Sequence, residues 1–199
     1  GRIDAGRVAG AVCAREKDGL MSQLKNGPIT QIGYVVDDLD AAIAGWIATA
    51  GLGPWTVFRN VSLDGVCEGE ASVVTMDVGM AYQGDVQIEL IEPTNAARSP
   101  YRARDGRLLT GPHHVAWLVD DLDAATARAT ASGLREIYRA QNPGTRVAYF
   151  AVPGQPDTRF EYIEGAAMAG LIADGIAATR DWDGANPVHV IDFAAIDQA

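Results

Sequence analysis

The side chains best suited to acid–base or metal chemistry are few. Histidine occurs at His113, His114 and His189. Glu89 and Glu161 interrupt apolar runs, as Ile88-Glu89-Leu90 and Phe160-Glu161-Tyr162. A carboxylate on the outer side of such a run is an ordinary solvated edge group. One that points inward is costly to bury and needs a metal ion or another partner. Gln31 sits in a β-rich run, where an amide is either a hydrogen-bonded core group or an oxygen donor. His113 and His114 are neighbours in a strand-like segment, so alternation sends them to opposite faces and makes His113 a packing or surface residue.

Other candidates are weaker. Asp37-Asp38 and Asp120-Asp121 look like acidic metal motifs, but helix capping explains both pairs. Glu92 and Glu164 lie at odd spacing from Glu89 and Glu161, which puts them on the opposite strand face as solvated ends. Trp55, Phe58, Tyr82, Trp117, Tyr149 and Phe150 are able to line a cleft, yet each alone reads as core. Arg98, Arg146 and Arg159 would suit an acidic substrate group, and nothing separates them from surface arginines. No glycine-rich phosphate loop stands between a strand and a helix, and no Ser-His-Asp or Cys-His order stands out.

The elements that must position these residues are written twice. Residues 31–42 read QIGYVVDDLDAA and residues 114–125 read HVAWLVDDLDAA, with Val36 to Ala42 repeated identically as Val119 to Ala125. Each copy begins with a strand, Ile29 to Val36 or His113 to Val119. An Asp pair then opens an Ala-rich helix, Ala41 to Ala50 or Leu122 to Ser132, which stops at Gly51 or Gly133. Three strands follow: Trp55 to Val61, Ala71 to Met80 and Val86 to Glu92 in the first copy. In the second they are Leu134 to Gln141, Arg146 to Val152 and Thr158 to Glu164.

The expected fold class is therefore α+β: two tandem βαβββ modules, residues 28–93 and 112–165, forming one domain with a curved mixed sheet around a cleft. Residues 94–111 are a linker with a helical turn near Ala96 to Arg104. Residues 166–199 form a C-terminal helix, Ala166 to Thr179, and an extended tail, Pro187 to Phe193, packed across a module or a dimer partner. Residues 1–20 read as a flexible extension or expression remnant, with Met21 a candidate natural start.

Bulk properties narrow the partners. The 199 residues are 48% apolar, enough for a full core. A formal net charge of −10 argues against nucleic acid or an anionic membrane as partner. Cys13 and Cys67 have no CxxC spacing, so the chain is expected in a reducing cytoplasm without a disulfide framework.

Paired βαβββ modules with this strand–Asp-turn–helix signature resemble the vicinal oxygen chelate superfamily of glyoxalases, bleomycin-resistance proteins and dioxygenases. The stretches QIGYVVDDLDAAIAGW, VQIELIEP and PHHVAWLVDDLDA are most similar to its methylmalonyl-CoA epimerase branch. In metal-dependent members the first and last strands of each module supply one ligand each. The resemblance thus implies Gln31, Glu89, His114 and Glu161 as ligands, with Gln31 standing where the epimerase has histidine and some glyoxalases have glutamine. One imidazole and three oxygens suit Zn, Ni, Co or Mn. The implied activity is an isomerase, epimerase or lyase that stabilises an enolate on a small carbonyl or acyl substrate, with Glu161 or Glu89 as base. A homodimer is implied as well. A metal-free small-molecule binder of the resistance type is the alternative, and an iron-dependent ring-cleaving dioxygenase ranks below it.

Overall fold

The computed structural model describes residues 26–196. The extension at 1–20, with Cys13 and Met21, lies outside the described residues. The first module contains β1 (Gln31–Val35), α1 (Leu39–Ala50), β2 (Trp55–Cys67), β3 (Glu70–Gln83) and β4 (Val86–Pro93). The second contains β5 (Gly111–Leu118), α2 (Leu122–Ala131), β6 (Arg135–Gln141), β7 (Arg146–Val152) and β8 (Gln155–Glu164). The chain continues through α3 (Met168–Arg180), β9 (Val188–Asp192) and α4 (Phe193–Ile196).

The repeated VDDLDAA segment works as a capping device. Asp38 and Asp121 are N-caps whose carboxylates accept from Ala41 N and Ala124 N, both at 2.9 Å. Glu92 and Glu164 are not solvated ends. Their carboxylates accept from Leu39 N (2.8 Å) and Leu122 N (2.6 Å), tying each helix start to the last strand of its own module. They do face away from Glu89 and Glu161, but that face meets a helix N-terminus rather than water.

The strands run in the order β3-β4-β1-β5-β8-β7-β6-β2, with β9 outside β2. β2 also pairs with β3, so the mixed sheet closes into a barrel-like arrangement. The closing contact is Asp64 to Cys67 against Tyr138 to Gln141. It uses the part of β2 beyond Val61, where the sequence reads as the end of a strand. Gly65 permits this approach, because a Cβ there would run into Arg139 O and Ala140.

Alternation divides the core. Ile88 and Leu90 face outward with Leu39 and Ile43 of α1, while Phe150 and Tyr162 meet Leu122 and Ala125 of α2. Val35, Ile91, Ala116 and Ile163 face the barrel interior. At the centre, β1 lies parallel to β4 and antiparallel to β5, and β5 lies parallel to β8. The first and last strands of both modules are thus four consecutive neighbours.

One segment differs from expectation. Residues 96–104 form no helix: Arg102 bridges Leu108, and its guanidinium donates to the carbonyls of Asn95 and Gly106. Pro100 lacks a helical donor and biases Ser99 away from the α conformation. The C-terminal segment lies on the first module, with β9 parallel to β2 and Gly175 of α3 against the Tyr82 ring. Among the described residues, no helix is long and apolar enough to cross a membrane.

Candidate metal centre

Gln31, Glu89, His114 and Glu161 come from β1, β4, β5 and β8, and all four point into the barrel. Their exposures are 2%, 8%, 4% and 4%. His114 Nε2 is the point of convergence. It lies 2.9 Å from Glu161 Oε2, 3.2 Å from Gln31 Oε1 and 3.4 Å from Glu89 Oε2. One ring nitrogen has at most one hydrogen to offer, so it cannot serve three oxygens. Both carboxylate oxygens are buried and accept no well-directed hydrogen bond. Donor atoms sharing an ion at about 2.1 Å stand roughly 3.0–3.4 Å apart in octahedral or tetrahedral arrangements. The observed spacing fits such a group, and the donor set of one imidazole and three oxygens fits a divalent ion.

His113 departs from its expected place. It is buried, and its Nδ1 lies 3.1 Å from His114 Nδ1. The cause is a bulge. Gly33 pairs with His114 but Tyr34 pairs with Pro112, which leaves His113 as an extra residue on β5. At a bulge, strict alternation fails.

This bulge orients the candidate ligand. His113 Nε2 lies 2.8 Å from Pro100 O, which only accepts, so Nε2 carries the hydrogen. With His113 neutral, its Nδ1 is then an acceptor. His114 therefore donates from Nδ1, and its Nε2, facing the three oxygens, is the nitrogen that an ion would take in place of a proton. Metal-binding histidines are oriented by this kind of outer contact.

The amide is oriented in the same way. Gln31 Nε2 donates to Gln87 Oε1 at 2.7 Å, and Gln87 Nε2 donates to Tyr82 Oη at 2.6 Å. That turns Gln31 Oε1 toward His114. Gln87 was not a sequence candidate, although its place two residues before Glu89 puts it on the same strand face. Replacing Gln87 with Leu is expected to weaken divalent-ion affinity about 10–100-fold while leaving the fold intact, as read by ion titration and circular dichroism.

Two further positions escaped the sequence reading. The Tyr101 hydroxyl, in the linker, lies 3.0 Å from the Tyr149 hydroxyl, and both rings are buried beside the histidines. Gly33 stands opposite His114, where a Cβ would fall onto the imidazole.

The electrostatics of the metal-free chain set a pH dependence. Burial lowers the pKa of His114, but Glu161 and Glu89 more than reverse this and hold it at about 9. Burial, with His114 adding to it, lowers His113 to about 3. A raised histidine stabilises the fold below its unfolded pKa of about 6.5 and loses that contribution as pH rises through 9. A lowered histidine stabilises above 6.5 and loses it as pH falls toward 3. Metal-free chain is thus expected to be most stable near pH 6.5, measured by urea unfolding. An ion must displace the Nε2 proton, so its apparent affinity should rise about tenfold per pH unit between 7 and 9, checked by manganese titration.

The sequence profile of the Glyoxalase/Bleomycin resistance protein/Dioxygenase superfamily matches residues 30–149, more than half of the chain. The chain belongs to this superfamily. No curated protein matches it. Among solved structures, a variant of Streptomyces coelicolor methylmalonyl-CoA epimerase in complex with 2-nitronate-propionyl-CoA is 24% identical. The match covers 72% of this chain and 97% of that one, with a TM-score of 0.46. A methylmalonyl-CoA epimerase in complex with methylmalonyl-CoA and NH4+ is 26% identical over the same shares, also with a TM-score of 0.46. The Mycobacterium tuberculosis methylmalonyl-CoA epimerase is 20% identical over 73% of this chain and 93% of that one, with a TM-score of 0.47.

Proposed function

We propose that Gln31, Glu89, His114 and Glu161 hold one divalent ion (Zn, Ni, Co or Mn) and that this superfamily member is a metal-dependent isomerase, epimerase or lyase. The observation that carries the reading is the set of three buried oxygens around His114 Nε2. When bound, the ion would supply Lewis-acid polarisation of a carbonyl oxygen, which favours loss of a proton from the adjacent carbon as an enolate forms.

The chain's own residues supply the rest. His114, fixed by His113 and Pro100 O, and Gln31, fixed by Gln87, set the geometry. Glu161 is the candidate base. Burial raises its pKa, with Glu89 adding to the rise and His114 opposing it, which brings a carboxylate closer to the proton affinity needed at neutral pH. Tyr101 and Tyr149 lie buried beside His113 and His114, with their hydroxyls 3.0 Å apart. A ring-cleaving iron site with two histidines finds less support, because both nitrogens of His113 are engaged with His114 and Pro100 O.

The test is deuterium wash-in. A panel of small 2-oxo acids, 2-hydroxy aldehydes and acyl thioesters is incubated with the protein in D2O and read by proton NMR. Exchange beside a carbonyl should vanish with EDTA and return with a divalent ion. Ligand binding that survives EDTA, with no exchange in any compound, would favour the resistance-type binder.

A further inference from the structure

Beside the linker lies a cavity of about 790 Å³ whose walls include Ser99, Pro100, Arg102, Thr158 and Arg159. Pro100 also touches His113 through its carbonyl, so the linker borders both this cavity and the candidate metal centre. The other arginines at the rim have partners. Arg98, Arg104 and Arg135 all reach Glu68, at 2.9, 3.8 and 3.2 Å, and Arg98 also reaches Glu70. Arg102 is occupied by backbone carbonyls.

Arg159 differs from all of these. It is half-buried, and among the described residues its side chain has no hydrogen bond or ion pair; its Nε, like that of Arg102, is shielded from solvent and unpartnered. Asp157 acts on it electrostatically but forms no ion pair with it. The hydroxyl of Ser99, a residue 4% exposed, is likewise buried and unpartnered. With Arg102 Nε, these make three orphaned donors in one cavity, and they are costly unless something accepts from them. In a chain of net charge −10, the guanidinium of Arg159, with neither a carboxylate nor a carbonyl as partner, is the most telling of them.

We propose that Arg159 and Ser99 form an oxyanion site that binds a carboxylate or phosphoryl group of the substrate. A planar guanidinium matches either group with paired hydrogen bonds. β8 runs from this site to the candidate centre: Arg159 and Glu161 are two residues apart on one face, about 7 Å along the strand. Arg159 is also the strand partner of His114. A molecule anchored at Arg159 by its acid group would hold atoms a few bonds away at the three oxygens. The substrate class is therefore a small carbonyl compound that also carries an acid. That this anion belongs to the substrate rests on the metal-dependent reading above, whereas the oxyanion site itself does not.

The experiment is calorimetric titration of the full chain, stripped of metal and at low ionic strength, with inorganic phosphate and separately with malonate. Saturable binding of at least one is expected. Arg159→Gln should weaken it at least tenfold, Arg159→Lys should recover part of it, and Ser99→Ala should weaken it severalfold. Arg128→Gln, the same charge change on α2, should leave it unchanged. Tighter phosphate points to a phosphoryl group and tighter malonate to a carboxylate. No saturable binding to the wild-type chain, or equal binding by Arg159→Gln, overturns the proposal. If Arg159→Gln fails to fold, the Arg159→Lys and Ser99→Ala comparison decides, and equal affinity in both overturns it. A parallel manganese titration keeps the two readings separate. Lost anion binding with intact manganese binding sinks this site alone, and the converse sinks the metal centre alone.

Discussion

Glu161→Gln should make the metal-free protein more stable and the metal-loaded protein far less so. The substitution preserves volume, so the barrel wall is unchanged. Without an ion, the interior holds two carboxylates against one imidazole, and burial already resists ionisation of Glu161. A neutral amide removes that resistance, worth roughly 1–3 kcal/mol, or several degrees in the unfolding midpoint of a chain this size. With an ion, the same change removes an anionic donor, and affinity should fall more than about 100-fold. Ligand-induced stabilisation scales with affinity, so the thermal shift on adding manganese or zinc should nearly disappear. Opposite signs in the two states mark a residue kept for binding rather than packing. Equal destabilisation in both states would instead make Glu161 an ordinary core group.

Gly33→Ala carries the second large effect, although it replaces no candidate donor. Gly33 pairs with His114 across β1 and β5, and the added methyl would land on Cε1, Nε2 and Nδ1 of the ring. Neither backbone can retreat, since β1 is held by β4 on its other side and β5 by β8. The imidazole must therefore leave its position, breaking the contact with His113 and moving Nε2 away from the oxygens. Overpacking of this kind costs about 1–3 kcal/mol. Displacing the donor by more than an ångström should abolish stoichiometric ion binding. Unfolding midpoints and ion titration on the same preparation check both parts. A Gly33→Ala protein that binds an ion normally would show that His114 is free to turn elsewhere.

Much of the architecture was legible because it is written twice. The repeated VDDLDAA segment carries its own capping groups, so both helix starts follow from local chemistry at Asp38 and Asp121. The inward placement of Gln31, Glu89, His114 and Glu161 followed from a family resemblance joined to strand alternation. What stayed hidden depends on long-range contact. The strand read as Trp55 to Val61 continues to Cys67 because β3 and β6 flank its second half. His113 was sent to the wrong face because alternation assumes regular pairing. Pro112 cannot donate to the ladder, and the bulge that follows it turns His113 inward. The helical turn expected near Ala96 to Arg104 is absent because the linker is ordered by Arg102 and the buried Tyr101 rather than by local propensity. Arg159 looked like any surface arginine until its lack of a carboxylate could be seen against the paired arginines around it.

The central claim is that one ion is held by four strands. Its most direct test is manganese titration of the EDTA-stripped full chain, followed by electron paramagnetic resonance, in the wild type and in His114→Ala. The account predicts one tight site per chain in the wild type and none in His114→Ala, with zinc competing for the same site. Absence of a stoichiometric site in the wild type, or an undiminished one in His114→Ala, would contradict it.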